Sequence, residues 1–360
     1  MSTPVAKERL LAALIDQATE LGFIAVGVAP AIESRGFSDL CRWIEAGYAG
    51  EMTYIANRLE AYRHPAGVLE GCRSVIALAY PYDAGAREPF PPGIGRVARY
   101  AWQGDDYHDV IHPKLKRLVR LIAEFAQEAM DRGVIDTAQI MEREIAQLAG
   151  LGWQGKNTLL INKRLGSYFF LACLLTDLEL PIDTPHESSH CGTCTACLDA
   201  CPTKAFPAPG VLDATRCISY LTIENRQQIA VDLRDSMGDW AFGCDVCQEV
   251  CPWNRKAMRR DDEAPEQEQE PPEPTRLRAL ELRTLFTLDE AEFRQRFRKT
   301  PLWRTRRRGV LRNAALVLGN QLDRDSLPML RRGLTDDDAL VREACRWAIE
   351  KIERADAAER

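Results

Sequence analysis

The chemistry of this 360-residue chain is most legible in its twelve cysteines. Residues 191–204 read CGTCTACLDACPTK, which spaces Cys191, Cys194, Cys197 and Cys201 as C-x2-C-x2-C-x3-C and follows them at once with Pro202. A run of this spacing holds one 4Fe–4S cluster with its first three thiolates and sends the fourth to a second cluster. A second half stands at 244–252, where Cys244, Cys247 and Cys251 precede Pro252. It lacks one cysteine of the full run, and Cys217, between the halves, is the obvious replacement. Each proline ends the local turn directly after a ligand, because it cannot extend a helix backward through that position.

Crossing the fourth thiolates, as bacterial ferredoxins do, puts Cys191, Cys194, Cys197 and Cys251 on one cluster and Cys201, Cys217, Cys244 and Cys247 on the other. Zinc ribbons use paired C-x2-C knuckles rather than a run of four cysteines closed by proline. Disulfides suit small secreted domains, and no export signal is evident here. Cys41, Cys72, Cys173 and Cys345 fall in helical or strand stretches and read as small buried hydrophobes.

Cluster thiolates need a reducing compartment, so the expected location is cytoplasmic. No run of ~18 apolar residues suggests a membrane span. The net charge of −6 says little by itself, but its distribution is uneven. Residues 261–273 (DDEAPEQEQEPPE) hold seven acids and no base, whereas 276–312 hold twelve Arg/Lys against four Asp/Glu. Such a basic segment is either a phosphate-binding patch or a solvated arginine-rich helical surface.

Strands alternating with helices predict a mixed α/β domain over 1–180, the frame that must position any site. Helices are expected over 5–21, 36–47, 107–132 and 142–149, and strands over 23–29, 75–80, 134–135 and 168–176, with 83–96 as Gly/Pro-rich loop. A cluster domain over 181–258 and an acidic, proline-rich linker over 259–275 follow. Residues 276–360 then read as a small basic domain whose three apolar-faced helices suggest a HEAT-like array. So short an array must dock on the rest of the chain to bury its face.

Two clusters make an electron wire, and residues 93–180 are where an acceptor site is expected. Asp136 sits just past a short strand; alone, such a residue is more often a turn or cap than a proton donor. Gly150, Gly152 and Gly155 surround Trp153, followed by Lys156 and Asn157. That loop is either a tight turn or a backbone able to approach a large flat ligand, and it matches neither a dinucleotide fingerprint nor a P-loop.

The motifs VIDT, GLGWQGKNTLLI, GSYFFL, LTDLEL, CGTCTACLDACPT, RCISYLTIENR, WAFGCDVCQEVCPWN and LRNAALVLGN, with ARYAWQGDDYHDVIHPKL near residue 100, occur in one order along nearly the whole chain. Together they closely resemble the epoxyqueuosine reductase family, itself related to reductive dehalogenases. The resemblance implies a nitroreductase-like cobalamin-binding domain, a ferredoxin-like two-cluster domain and a small HEAT-like domain. The implied reaction is the last step of queuosine synthesis, reduction of epoxyqueuosine at the wobble position of tRNA to an alkene. An external one-electron donor such as a flavodoxin or ferredoxin, and a monomeric enzyme, complete the expectation.

By the same resemblance Asp136 matches the family's proton donor, and the cobalamin is expected base-off. Asp106-Tyr107-His108 is not followed by the glycine of D-x-H-x-x-G, so His108 is not assigned to cobalt. Expected cofactor contacts are Trp153, Gly155, Lys156 and Asn157, then Ser167, Tyr168, Ser219, Tyr220, Thr222, Glu224 and Asp245. Arg63 is either a further contact or a surface arginine before a turn. For tRNA, Arg304, Arg306, Arg307, Arg308 and Arg312 form the densest basic set, expected to bind phosphates without reading sequence. The alternatives are a reductive dehalogenase, which has no use for the basic C-terminal helices, and an electron-carrier subunit, which leaves Asp136 and the GWQGKN loop idle.

Overall fold

A computed structural model describes residues 4–82, 85, 89–262 and 277–359. One sheet combines β1 (Ala25–Pro30), β2 (Ser74–Pro81), β4 (Asp131–Val134) and β7 (Phe169–Thr176) in the order β1-β2-β7-β4, antiparallel throughout. β2 reads SVIALAYP, a continuous apolar strand, and its residues alternate between two cores. Ile76 and Leu78 meet α1 (Pro4–Glu20) and α3 (Tyr107–Phe125) through Leu10, Leu14, Ile111 and Leu115. Val75 and Ala77 face α4 (Glu142–Leu148) through Ile145 and Ala146. Helices on both faces leave the chain following β4 and the end of β7 at the sheet margin, where Asp136 lies. Between α1 and α3, the short helix α2 (Phe37–Glu45) covers the chain after β1.

A second sheet, order β8-β3-β9, joins β3 (Ile94–Val97), β8 (Trp240–Phe242) and β9 (Ala279–Glu281). It draws one strand from each of the three expected domains, with β3 parallel to β8 and antiparallel to β9. A two-stranded ribbon pairs β5 (Trp153–Gln154) with β6 (Leu160–Ile161). After the short helix α5 (Ile218–Ile223), the C-terminal helices are α6 (Arg306–Asn320), α7 (Leu327–Gly333) and α8 (Ala339–Glu359). They do not bury their apolar faces alone: one core runs from Trp102 through Leu221 and Phe242 to Leu316 and Ile352.

Three expectations are corrected. The helix expected over 107–132 stops at Phe125, and Asp131–Val134 is strand, paired with β7 from Asp131 opposite Thr176 to Val134 opposite Cys173. The expected loop over 83–96 ends in β3, which sheet partners distant in sequence extend. A helix, Pro252–Asp262, enters the expected linker, and the remainder of its acidic run lies outside the described residues. Among the described residues no helix is long and apolar enough to cross a membrane.

Candidate active site

A cavity of about 470 Å³ opens between the margin of the first sheet and the cysteine-bearing segment. Its apolar wall is built from Leu159 and Leu160 of the β5–β6 ribbon and Phe169, Phe170 and Leu171 of β7. Asp136, Glu142 and Arg143 line it, as do Cys217, Ser219, Tyr220 and Glu224. Arg304 joins Asp136 to Glu224, its Nη1 standing 3.7 Å from one carboxylate and 3.2 Å from the other.

Asp136 occupies left-handed backbone at φ 52°, a conformation that Asp tolerates better than most side chains. The Tyr107 hydroxyl donates to Asp136 Oδ2 at 2.7 Å, and Arg304 Nη1 stands 3.7 Å from the same oxygen. Burial, then the Asp136 charge, push the Tyr107 phenol well above its usual range, so it stays a donor. Asp106 caps α3 through the His108 amide and holds His108 Nδ1 at 2.8 Å, leaving His108 outside the cavity lining. Glu142, at the start of α4, is half-buried in the cavity wall. Burial, reinforced by the Asp136 charge, raises its carboxyl to about 7.

The eight cysteines expected to hold the clusters lie close enough to act on one another: Cys197 feels Cys191, Cys194 and Cys251, Cys251 feels Cys191 and Cys194, Cys217 feels Cys201, Cys244 feels Cys217 and Cys247, and Cys247 feels Cys217 and Cys201 but also Cys197 of the other expected set. Among the described residues no three His, Cys, Asp or Glu side chains converge on a point suited to a single metal ion; a cubane is larger and spreads its thiolates further apart. Cys217 lines the cavity itself, so the second set borders it directly.

Several expected cofactor contacts do other work. Trp153 is 1% exposed and packs with Ile161, Cys251 and Trp253 against the first thiol set. Lys156 Nζ donates to the carbonyls of Gly192 and Cys194 at 2.7 and 2.9 Å, stapling the loop of the first ligands. Asn157 reaches the Cys247 carbonyl, and a Cβ at Gly155 would meet Ile161 and Asn157 at about 2.5 Å, so this glycine serves close packing within the loop. Ser167 lines the cavity, but its hydroxyl donates to Gln248 Oε1 at 2.8 Å and its amide to Asn254 Oδ1 at 2.6 Å. Buried Tyr168 lies under the Arg99 guanidinium, and buried Asp245 accepts from the Arg99 amide at 2.8 Å. Thr222 accepts from the Gly243 amide. Arg63 is paired with Glu33 and Glu60 away from the cavity. Of the expected contacts, Ser167, Ser219, Tyr220 and Glu224 line it.

The basic set also divides. Arg312 is 1% exposed and donates to the carbonyls of Leu221, Asn225 and Gln227, which makes it a structural staple between α6 and the segment after Cys217. Burial lowers its guanidinium to about 10. Arg307 is committed to Asp336 at 2.7 Å and the Leu288 carbonyl. Arg304, Arg306 and Arg308 instead surround a neighbouring cavity of about 520 Å³ with Asp106, Trp303 and Arg226. Arg226 was absent from the expected set, and its buried Nη1 has no hydrogen-bond partner among the described residues. Burial disfavours its charge, Glu224 opposes that, and Arg308, Arg306 and Arg304 disfavour it further. Tyr107, Glu142, Arg143 and Arg226 are the site residues that spacing alone missed. Each resembles an ordinary capping or surface residue in sequence, although Tyr107 and Arg226 lie within quoted motifs.

Comparison with known proteins gives two matching family models: "4Fe-4S double cluster binding domain" over residues 190–254 and "Epoxyqueuosine reductase QueG, DUF1730" over 63–137. A curated epoxyqueuosine reductase of Pseudomonas aeruginosa is 41% identical, with 97% of this chain and 96% of that protein covered. One of Escherichia coli is 37% identical, with 99% and 93% covered. The crystal structure of an epoxyqueuosine reductase with an epoxyqueuosine-modified tRNA stem loop superposes with a TM-score of 0.84 at 30% identity, covering 96% of this chain and 91% of that one. A Streptococcus thermophilus structure gives 0.83 at 28% identity, covering 96% and 90%.

Proposed function

The chain belongs to the epoxyqueuosine reductase family, and from that premise we propose that it reduces the epoxide of epoxyqueuosine, at the wobble position of a tRNA anticodon, to the alkene of queuosine. It is an iron–sulfur oxidoreductase with a double 4Fe–4S cluster domain. The observation that carries the reading is one cavity in which Asp136, Cys217 and Arg304 all take part: a proton donor, an electron source and a contact for an anion.

We assign the clusters to the two thiol sets, with the Cys217 set next to the cavity. We place the reactive face of a cobalamin at the same cavity. The cavity's apolar wall of Leu159, Leu160, Phe169 and Leu171 suits a macrocycle face. When bound, cobalamin supplies a cobalt centre that gathers single electrons into a two-electron reductant. The chain's own part is to hold that group against Cys217, to keep Asp136 aimed into the cavity through Tyr107, and to present its proton to the departing oxygen.

The arginine cavity supports tRNA recognition. Four guanidiniums crowd one another around Trp303, with Arg306 stacked on its ring at 4.2 Å. A phosphate relieves that repulsion, and the ring offers a stacking face for an unstacked loop base. Because Arg304 borders both cavities, a nucleotide bound here delivers its neighbour to Asp136. The reading is completed by an external donor such as a flavodoxin or ferredoxin, a monomeric state, a cytoplasmic setting and a HEAT-like role for α6 to α8.

The test is metal content and EPR after anaerobic reconstitution with iron, sulfide and cobalamin. About eight irons, two clusters of four, and one cobalt per chain with a base-off signal are expected. Full iron with no retained cobalt would remove cobalamin from the cavity.

A further inference from the structure

The proposed reaction needs two protons, and the proposed mechanism so far names one donor, Asp136. Converting an oxirane to an alkene breaks both C–O bonds, forms the C=C bond and releases the oxygen as water, consuming two electrons and two protons. The electrons arrive singly through the clusters from the external donor. Asp136 gives one proton and is then a carboxylate. A nucleotide seated over Arg304 and Asp136 displaces bulk water from the half-exposed side of that carboxylate. The replacement proton therefore has to come from the inner wall of the cavity.

Resting on that reading, we infer that Glu142 supplies the second proton of each turnover, passing it to Asp136 across the cavity the two carboxyls share. Glu142 lies six residues beyond Asp136, at the first turn of α4, and both line the same space. Among the described residues no basic side chain forms an ion pair with it, whereas Asp136 has Tyr107 and Arg304. The groups that act on it are Asp136 from the β4–α4 loop, Arg143 beside it, Tyr62 from the segment after α2, and Cys173 of β7. Arg143 is turned to the Thr158 carbonyl at 2.5 Å. Burial and the Asp136 charge keep Glu142 protonated up to about 7, so it is an acid where its neighbour has just become a base. Glu142 acts through Asp136 and does not touch substrate; it is a positioning residue for the proton.

The test compares reconstituted wild type, Glu142→Gln and Glu142→Asp on an epoxyqueuosine-modified stem loop across the neutral pH range, with infrared titration of the cofactor-free proteins. Wild-type turnover should fall as pH rises through the Glu142 titration. Glu142→Gln should lower turnover on the order of 10²-fold without changing the Michaelis constant for the stem loop, and should abolish that limb of the pH profile. Glu142→Asp, which keeps an acid with shorter reach, should retain partial turnover with the limb present. In the infrared, a carboxylic-acid carbonyl band titrating near neutrality should be present in wild type and missing from Glu142→Gln. An unchanged turnover and pH profile in Glu142→Gln overturns the assignment, as does a titrating band that survives the substitution. If wild type leaves the stem loop unconverted, the epoxide reading fails instead, and the infrared result still decides whether Glu142 holds a proton at neutral pH.

Discussion

Tyr107 Oη donates to Asp136 Oδ2 at 2.7 Å, linking the first residue of a long helix to a residue in left-handed backbone beyond a sheet strand. The contact fixes where Asp136 aims, since nothing in its own loop is bonded to that carboxylate among the described residues. Tyr107→Phe keeps the ring stacked on Phe170 at 4.4 Å and removes the donor alone. Turnover on the modified stem loop should drop about tenfold, the loss of one charge-assisted hydrogen bond, with the iron content unchanged. A drop below twofold would show that the loop aims Asp136 without the phenol.

Arg306→Ala and Arg308→Ala should weaken stem-loop binding and flatten its dependence on salt by roughly one counterion each, with little effect on turnover at saturation. Arg312→Ala should behave differently. It leaves buried carbonyls of Leu221, Asn225 and Gln227 without a donor, and chemical denaturation should register a loss of about 3 kcal/mol or more. Arg312→Lys should not restore it, because an ammonium cannot span the three acceptors in the same fork. A change confined to tRNA affinity would contradict this role.

How far the sequence reveals all this varies with the distance over which the cause acts. Cysteine spacing is local chemistry, and the double-cluster segment that holds all eight spaced cysteines is legible from it directly. The apolar run at 168–176 becomes β7 for the same reason. Side-chain destinations are not local. The GWQGKN loop reads as a ligand cradle, yet Lys156 and Trp153 face the first thiol set because the β5–β6 ribbon folds against it. Arg312 cannot be told from Arg308 by composition; only the packing of α6 against α5 buries one and leaves the other open. β3 is invisible in its Gly/Pro-rich setting because its partners lie far along the chain.

Lys156→Met should loosen the 191–194 loop while leaving the cavity intact. Iron should be lost from the Cys191 set first, giving about four irons per chain after gel filtration under air-free conditions. Retention of both clusters with unchanged resistance to chelators would show that the lysine staple is dispensable.

Glu142 should also leave a mark on stability. Its folded value of about 7 lies above the ordinary glutamate value of 4.5, so the folded state binds a proton that the unfolded chain releases earlier. The resulting stabilisation is fully present below the unfolded value and is lost as pH rises through about 7. Glu142→Gln should therefore gain roughly 3 kcal/mol on wild type between acidic and mildly alkaline solution. Parallel stability curves for the two proteins would mean that the carboxyl titrates as an ordinary exposed one.

The most direct measurement of the central claim is the mass of the modified nucleoside after anaerobic incubation of an epoxyqueuosine-containing stem loop with reconstituted enzyme, cobalamin and a low-potential reductant. The account predicts loss of one oxygen atom with wild type, dependence on added cobalamin, and a fall of 10²–10⁴-fold with Asp136→Asn. A nucleoside that keeps its oxygen with wild type carrying both clusters and cobalt, or full conversion by Asp136→Asn, would contradict it.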